Sequence, residues 1–188
     1  MNLLIELDRS LFWLINSHNS AFFDQIMHYL SSKWSAIPIY VFALLCIIKH
    51  FKTESWKVVA LILLCLLITD SGSVWLFKNV FHRLRPCHAD IWPNSVHLYQ
   101  NHCGGLFGFI SSHAANTTGF AVVIATLFKS NYWKYLFLWV FLVGYSRVYL
   151  GVHYPADVLV GWIFGFSVAQ LITSHYLLRF FNLSKQLS

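Results

Sequence analysis

The chain alternates long apolar stretches with short polar segments. A helix needs about 20 mostly apolar residues to cross the hydrocarbon core of a bilayer. The pattern predicts five such helices, with apolar cores at residues 26–48, 56–77, 108–128, 132–145 and 158–178. We therefore predict an all-α fold, an integral membrane helical bundle with about five transmembrane helices.

The first 20 residues show a different pattern, in which leucines recur at helical spacing while Glu6, Asp8, Arg9 and Asn16 take the other side. This segment is too charged to span a bilayer, and it predicts an amphipathic helix that lies in the membrane interface. An uncleaved signal sequence is the alternative. It is less well supported because the basic start and the small-residue cleavage site are missing.

Composition agrees with a membrane protein, since 57% of the residues are hydrophobic and only 11% are charged. The net charge of +6 could indicate nucleic acid as a partner, but the basic residues are spread over loops within apolar sequence. We therefore expect membrane lipids and no nucleic acid as partners. The chain is predicted to be a single domain over residues 1–188, and its oligomeric state is left open.

Polar residues gather where three of the predicted spans end. With alternating helix directions, the end of the second span, the start of the third and the junction of the fourth and fifth meet at one membrane face. The residues brought together there are Lys78, Arg85, Ser111, Ser112, His113, Arg147, His153 and Asp157. Three cations at one face are costly unless an anion with several oxygens joins them, so the pattern predicts a phosphate site.

The spacing within this group predicts phosphoryl transfer. His153 and Asp157 are four residues apart, which lets a carboxylate orient an imidazole on a helical turn. Pro155 between them is tolerated if the fifth helix only begins there. Of the two imidazoles, one can attack phosphorus and the other can protonate the leaving oxygen, but the residues alone leave open which one attacks.

Metal binding has weaker support in the sequence. Four histidines of the outer segment could hold a metal, but their partners are unspecified: His82, His88, His97 and His102. We expect chemistry that needs no metal and no other cofactor.

Two further features concern the same face. Cys87 and Cys103 flank the outer segment and could form a disulfide outside the cytoplasm, or remain two free thiols. Asp70 is an ionisable group inside the clearest span, about two helical turns before Lys78, and we expect it to support the floor of the site.

The motifs resemble those of the type 2 phosphatidic acid phosphatase family, which comprises membrane lipid phosphatases and related vanadium haloperoxidases. The resemblance covers residues 69–170 and rests on three ordered parts. These are Lys78 followed after six residues by Arg85-Pro86, then Ser111-Ser112-His113, then Ser146-Arg147 followed by His153 and Asp157. The family's second motif usually reads Pro-Ser-Gly-His, so Ile110 and Ser112 depart from it.

The resemblance implies a role for each position. His153 is similar to the family's nucleophile, which forms a phosphohistidine, Asp157 to the residue that orients it, and His113 to the general acid. The phosphate clamp implied is Lys78, Arg85, Ser111 and Arg147, with the Ser112 amide joining it.

The cation count predicts the orientation. The side expected to be cytoplasmic carries Lys49, Lys52, Lys57, Lys129, Lys134, Arg179 and Lys185. The other side carries Arg9, Lys33, Lys78, Arg83, Arg85 and Arg147. Since Lys78, Arg85 and Arg147 have a chemical role, the first side is taken as the cytoplasm. The site is then expected to face the periplasm or exterior of a bacterial cytoplasmic membrane.

The substrate predicted is a lipid phosphate, with undecaprenyl pyrophosphate slightly favoured over phosphatidylglycerol phosphate and the 1-phosphate of lipid A. A phosphotransferase that passes the phosphate to another lipid shares the first step. A non-enzymatic phospholipid-binding or transport protein would need the cations but not the matched spacing of His153 and Asp157.

Overall fold

The protein is described by a computed structural model that covers residues 2–91, 96–128 and 130–180, and side chains up to residue 175. The α-helices are α1 Asn2–Asn16, α2 Ala21–Ser31, α3 Lys33–Phe51, α4 Ser55–Gly72, α5 Asn79–Phe81, α6 Ser112–Phe128, α7 Tyr135–Tyr149 and α8 Pro155–Phe180. Short 3₁₀ turns lie at Lys52–Glu54, Pro86–His88, Tyr99–Asn101 and Asn131–Lys134. The described residues contain no β-sheet strands, which confirms the all-α class.

Helix α6 is the centre of the bundle. Its residues are apolar or small on every side, and most of them from Ala114 to Leu127 are buried. A helix that is apolar all round is stable only when other helices surround it. Helices α3, α4, α7 and α8 do so, packing with α6 into one apolar core that includes Val58, Ile124 and Val143.

Glycines set the distance between α6 and α8. A Cβ on Gly161 would lie 2.7 Å from the carbonyl oxygen of Ser111, and one on Gly165 would lie 2.2 Å from that of Ala115. Backbones can approach this closely only where a side chain is missing, as in other small-residue helix contacts. The second and third turns of α8 are therefore packed closely against the start of α6.

The first span was predicted to begin at residue 26, and this start is wrong. Residues 26–48 are divided between α2 and α3 by Ser32, whose backbone is extended with φ −87° and ψ 160°. The hydroxyl of Ser32 donates to the carbonyl of Tyr29, closing the end of α2. A serine side chain can compete with helical hydrogen bonds in this way, and a hydropathy pattern does not register it.

The second predicted span continues beyond α4 by an irregular stretch. Residues Ser73–Lys78 have π-helical hydrogen bonding, and α5 follows directly. π-Helical turns are rare and occur most often at functional sites. Here the turn ends on Lys78.

The remaining three predicted spans correspond to α6, α7 and α8, whose starts differ by three or four residues from the predicted residues 108, 132 and 158. Helix α8 begins at Pro155, which confirms that the proline occupies a first turn, where its missing N–H is not needed. Helix α7 begins at Tyr135, after the 3₁₀ turn Asn131–Lys134.

Apolar side chains cover much of the outside of the bundle. Leu63 and Leu67 on α4, Leu138 on α7 and Ile163 on α8 are all more than half exposed. Among the described residues, two continuous stretches are long and apolar enough to cross a membrane: Lys33–Phe81, which contains α3 and α4, and Pro155–His175. The chain is an integral membrane helical bundle; the number of spans, predicted as five, stays a prediction.

Helix α1 exposes its leucines and turns two of its polar residues, Asp8 and Asn16, to the protein. Leu4 is 75% exposed and Leu7 50%, whereas Asp8 is 9% exposed and Asn16 fully buried. The side-chain amide of Asn16 donates to the carbonyls of Tyr149 and His97. The helix itself is present, but Glu6 and Arg9 are exposed together with the leucines, so the predicted polar side is only half turned to the protein. Its position in a membrane interface stays a prediction.

The outer segment between α5 and α6 is tied at both ends. Leu84 and Phe107 form an isolated antiparallel bridge, and the Gly108 amide donates to the carbonyl of Arg83 at 2.8 Å. Cys87 and Cys103 form a disulfide with Cα atoms 6.0 Å apart, within the usual range.

Candidate active site

The structure brings the three motifs together around one cavity of about 480 Å³. The π-helical turn supplies Lys78, the loop after α5 supplies Arg85, the first turn of α6 supplies Ser112 and His113, and the end of α7 supplies Arg147. His153 comes from the joint between α7 and α8. All six residues line the cavity. The predicted convergence of distant segments is therefore present in the fold.

Lys78 is held by two serines. Its ammonium donates to the Ser112 hydroxyl at 2.7 Å, and the hydroxyls of Ser112 and Ser73 are 2.6 Å apart. Ser112 stands where the family usually has glycine, and its side chain positions the lysine. This role is additional to the backbone contact expected from Ser112.

Ser111 is placed differently from expectation. It is fully buried and is not among the residues that line the cavity. Its hydroxyl accepts from the Ala114 amide at 3.4 Å, and its own amide donates to the Asp157 carbonyl at 2.9 Å. In this arrangement Ser111 caps α6 and ties it to α8, because the first amides of a helix need partners. Ile110, at the family's proline position, is fully buried beside it.

The two arginines keep unused donors inside the protein. Arg85 donates to the carbonyls of Cys103 and Val152 at 3.4 Å, and Arg147 donates to the Ser31 hydroxyl. The Nε atoms of both arginines are buried without a hydrogen-bond partner in the described part of the chain. A buried unpaired donor is costly, and a multi-oxygen anion would satisfy it.

Charge reinforces this need for an anion. Burial lowers the pKa of Arg85, and the carboxylate of Asp157 offsets only part of the effect. A guanidinium remains protonated at neutral pH in any case. The cavity therefore carries the positive charges of Lys78, Arg85 and Arg147 on one wall.

His153 and Asp157 lie deep beneath the cations. Nδ1 of His153 is 3.4 Å from Oδ2 of Asp157, close enough for attraction, although Nδ1 has no well-aligned hydrogen bond among the described residues. Burial, and then the charges of Arg147, Arg85 and Lys78, hold the pKa of His153 well below its usual range. The imidazole is thus neutral at physiological pH.

His113 faces the cavity from the first turn of α6. It also lines a second cavity of about 280 Å³, which Arg85 and Arg147 share and which includes Tyr99 and His102 of the outer segment. The cations and His113 therefore separate a cavity on the helix side from one on the outer side.

Asp70 lies in the wall of the larger cavity and does not pair directly with Lys78. Its carboxylate accepts from the side-chain amide of Asn116 at 3.1 Å, and Asn116 in turn accepts from Thr69 at 2.7 Å. Asp70 also accepts from the Ser73 hydroxyl through its backbone carbonyl. It supports the site through Ser73 and offers free carboxylate oxygen to the cavity.

The outer histidines have other partners. His97 pairs with Asp24 at 2.8 Å, His88 lies 3.3 Å from the Gly104 carbonyl, and the ring of His82 packs on Phe107. In the described ranges one group, Cys87, His88 and Cys103, is close enough to share a metal ion, but its sulfurs are joined in the disulfide.

Three residues of the site were not singled out from sequence. Arg83 contacts Asp157, Asp8 contacts Arg83, and Ser31 accepts from Arg147. Asp8 and Ser31 come from the N-terminal helices, far from the motifs in sequence. Two features of the sequence could have indicated them: Asp8 is an aspartate on a leucine-rich helix, and Arg83 is an arginine two residues before Arg85.

Two imidazoles and three cations surround one cavity in a membrane helical bundle. This arrangement is typical of membrane proteins that act on a phosphoryl group. The model of the PAP2 superfamily matches residues 58–180. The chain belongs to this family, as the motifs predicted, and the match extends beyond residues 69–170 at both ends.

Named relatives are similar over most of their length. A lipid A 4'-phosphatase of Porphyromonas gingivalis is 31% identical, over 94% of this chain and 76% of the relative. One of Bacteroides thetaiotaomicron is 33% identical, over 86% and 73%. The undecaprenyl-diphosphatase BcrC of Bacillus subtilis is 33% identical, over 89% and 79%.

Solved structures give the same fold. The crystal structure of Aquifex aeolicus LpxE superposes with a TM-score of 0.65 at 26% identity, covering 89% of this chain and 95% of that one. A transmembrane PAP2-type phosphatidylglycerolphosphate phosphatase from Bacillus subtilis has a TM-score of 0.69 at 21% identity, covering 96% and 90%, and supports the fold. The chain is thus a phosphoric ester hydrolase of the PAP2 lipid phosphatase type.

Proposed function

We propose that this protein removes a phosphate from lipid A, with the 4'-phosphate as the preferred position. The similarity to two lipid A 4'-phosphatases supports this choice. The sequence-based preference for undecaprenyl pyrophosphate has less support and is replaced by lipid A, for which the sequence-based alternative was the 1-phosphate rather than the 4'-phosphate.

The wall of the cavity agrees with a sugar headgroup. Asp70, Asn116 and Ser32 line the larger cavity together with the cations. The hydroxyl and amide groups of a glucosamine ring can pair with such residues, whereas a polyprenyl chain offers no hydrogen-bonding group to them.

The observation that carries the chemistry is the placement of two imidazoles and three cations on one cavity. Since Nδ1 of His153 faces Asp157, Nε2 is the atom available to the phosphate. Nε2 attacks phosphorus, the bond between phosphorus and the sugar oxygen breaks, and His113 gives its proton to that oxygen. A water then attacks the phosphohistidine, His113 takes its proton, and phosphate leaves with His153 restored.

The cations act on charge that develops during this transfer. Lys78, Arg85 and Arg147 lie in a partly enclosed cavity, where fixed donors stabilise the transferred group more than water does. The lipid chains extend past Leu30, Val74 and Val143, which line the helix side of the cavity. Water and phosphate exchange through the outer cavity. We place this outer side in the periplasm of a bacterial inner membrane, as the distribution of basic residues predicts.

The test is phosphate release from purified protein in a chelator. The substrates are lipid A with both phosphates, undecaprenyl diphosphate and phosphatidylglycerol phosphate, and mass spectrometry identifies the position that lipid A loses. We expect release from the 4' position, loss of activity in His153→Ala, and full activity in His175→Ala, which changes an exposed histidine of α8.

Each other result has a definite meaning. Release from undecaprenyl diphosphate alone refutes the lipid A assignment. Abolition by the chelator refutes the metal-independent mechanism. Phosphate recovered on a second lipid identifies a transferase, and binding of all three lipids without turnover leaves a binding protein.

A further inference from the structure

Arg83 lies beside the site without belonging to the phosphate clamp. Its Nη1 donates to Oδ1 of Asp157 at 2.7 Å, and its Nη2 donates to Oδ2 of Asp8 at 2.5 Å. Its guanidinium also covers the ring of Tyr154 at 4.2 Å. It lines a separate cavity of about 700 Å³ and is not among the residues that line the cavity of about 480 Å³ with the cations.

Asp8 makes two contacts with the catalytic end of the bundle. One oxygen accepts from Arg83, and the other accepts from the Ala156 amide at 2.8 Å, in the first turn of α8. A carboxylate at a helix N-terminus satisfies a free amide and meets the positive end of the helix dipole. Asp8 therefore fixes both Arg83 and the start of the helix that carries Asp157.

The carboxylate of Asp157 is held on both oxygens. Oδ1 accepts from Arg83, while Oδ2 accepts from the Tyr154 amide at 3.0 Å and lies 3.4 Å from Nδ1 of His153. Asp157 is fully buried, so these contacts decide where its charge points. Arg83 thus sets the rotation of the carboxylate that faces His153.

We propose that Asp8 and Arg83 are positioning residues for His153, acting through Asp157. The chain of contacts runs from α1 through the loop after α5 to α8. Asp8 lies outside the region that the family model matches, which begins at residue 58. This inference rests on the proposed function, because it requires His153 to be the reacting group.

Charge explains why both residues are needed. Burial lowers the pKa of Arg83, but Asp157 and Asp8 together outweigh it and raise that pKa above its ordinary value. Two carboxylates therefore share one arginine. If Asp8 becomes neutral, Arg83 is free to bind Asp157 with both arms and to draw it away from Nδ1 of His153.

The test compares Asp8→Asn and Asp8→Glu with Glu6→Gln, an exposed neighbour on α1. Phosphate release from lipid A is measured together with the thermal unfolding midpoint. We expect Asp8→Asn to lower kcat by about 10- to 100-fold, since a small misplacement of a reacting group has an effect of that order. KM should stay within about twofold because the clamp is unchanged. Asp8→Glu should recover part of kcat, and Glu6→Gln should match the wild type.

Arg83→Lys and Arg83→Gln keep the inference testable if Asp8→Asn folds poorly. Lysine should retain more kcat than glutamine, with KM again unchanged. The inference is refuted if kcat is unchanged in folded Asp8→Asn or Arg83→Gln, or if KM alone rises. If the wild type is inactive, or His153→Ala stays active, the proposed function fails first and the inference falls with it.

Discussion

At the scale of the residue, the surroundings of His153 determine its protonation state. It is 1% exposed, with Asp157 on one side and cations on the other. Both burial and the neighbouring positive charges oppose a second proton on the imidazole. The same contacts that keep the ring neutral therefore make the folded protein sensitive to acid.

His153 should contribute to a loss of stability at low pH. The unfolded histidine takes up a proton near pH 6.5, whereas the folded one stays neutral because its pKa is lowered. Below about pH 6.5 the unfolded state thus binds more protons, and acidification favours it. We expect the unfolding free energy of wild type to fall relative to His153→Gln by up to about 1.4 kcal/mol per pH unit. Thermal unfolding in detergent at several pH values measures this, and parallel pH slopes for the two proteins would contradict it.

The cations of the site could be identified from residue type, but the positions of its hydroxyl groups could not. Lys78, Arg85 and Arg147 were recognisable because cations next to apolar spans are costly and are usually retained for a function. Ser111 and Ser112 are adjacent, and which of them faces the cavity depends on the exact start of α6. Boundaries of helices are uncertain by one or two residues, which is enough to exchange the two roles.

At the scale of the element, the contact between α6 and α8 positions the chemistry. Helix α6 begins with Ser112 and His113, and α8 begins with Pro155 and Asp157. Their separation depends on Gly161 and Gly165. Gly161 and Gly165 are four residues apart, a spacing typical of close helix contacts, but the spacing alone does not say which helix they meet.

Gly165→Ala should push α8 away from α6. The added Cβ would lie 2.2 Å from the Ala115 carbonyl oxygen, so the backbones must separate. We expect destabilisation of about 1–3 kcal/mol, typical of overpacking, together with lower phosphate release. Gly105→Ala is the matched control, because a Cβ there meets nothing within 4 Å. Equal unfolding midpoints for the two variants would rule out the close packing.

The N-terminal helices were the least predictable elements. The sequence indicated an amphipathic helix over residues 1–20, but hydropathy could not show that Asp8 reaches α8 or that α2 ends at Ser31. The first feature depends on a hydrogen bond between residues far apart in sequence, and the second on a local side-chain bond from Ser32 to Tyr29. Periodicity reports which side of a helix is polar and not what that side contacts.

At the scale of the whole molecule, the bundle has two distinct ends, and the polar site lies at one of them. The disulfide and the residues of the candidate site lie at one end, and the turn Asn131–Lys134 between α6 and α7 lies at the other. Lys129 and Lys185, which support the predicted orientation, lie outside the described residues.

Labelling of thiols in intact cells tests the orientation. In a Cys46→Ser background, Cys87 and Cys103 should react with a membrane-impermeant maleimide only after reduction of the disulfide. A cysteine placed by Asn131→Cys, at an exposed position, should react only after the cells are opened. Labelling of Asn131→Cys in intact cells would reverse the predicted topology. Cys65 is buried in the core and needs no replacement.

The exposed leucines of α1 link the site to the lipid or detergent that surrounds the protein. Leu4 and Leu7 are exposed on the same short helix whose Asp8 holds Arg83. Lipid or detergent that covers those leucines therefore contacts a helix that is linked through Arg83 to the carboxylate of Asp157. The choice of membrane mimetic becomes a chemical variable, and turnover measured in micelles and in bilayers need not describe the same arrangement of His153 and Asp157.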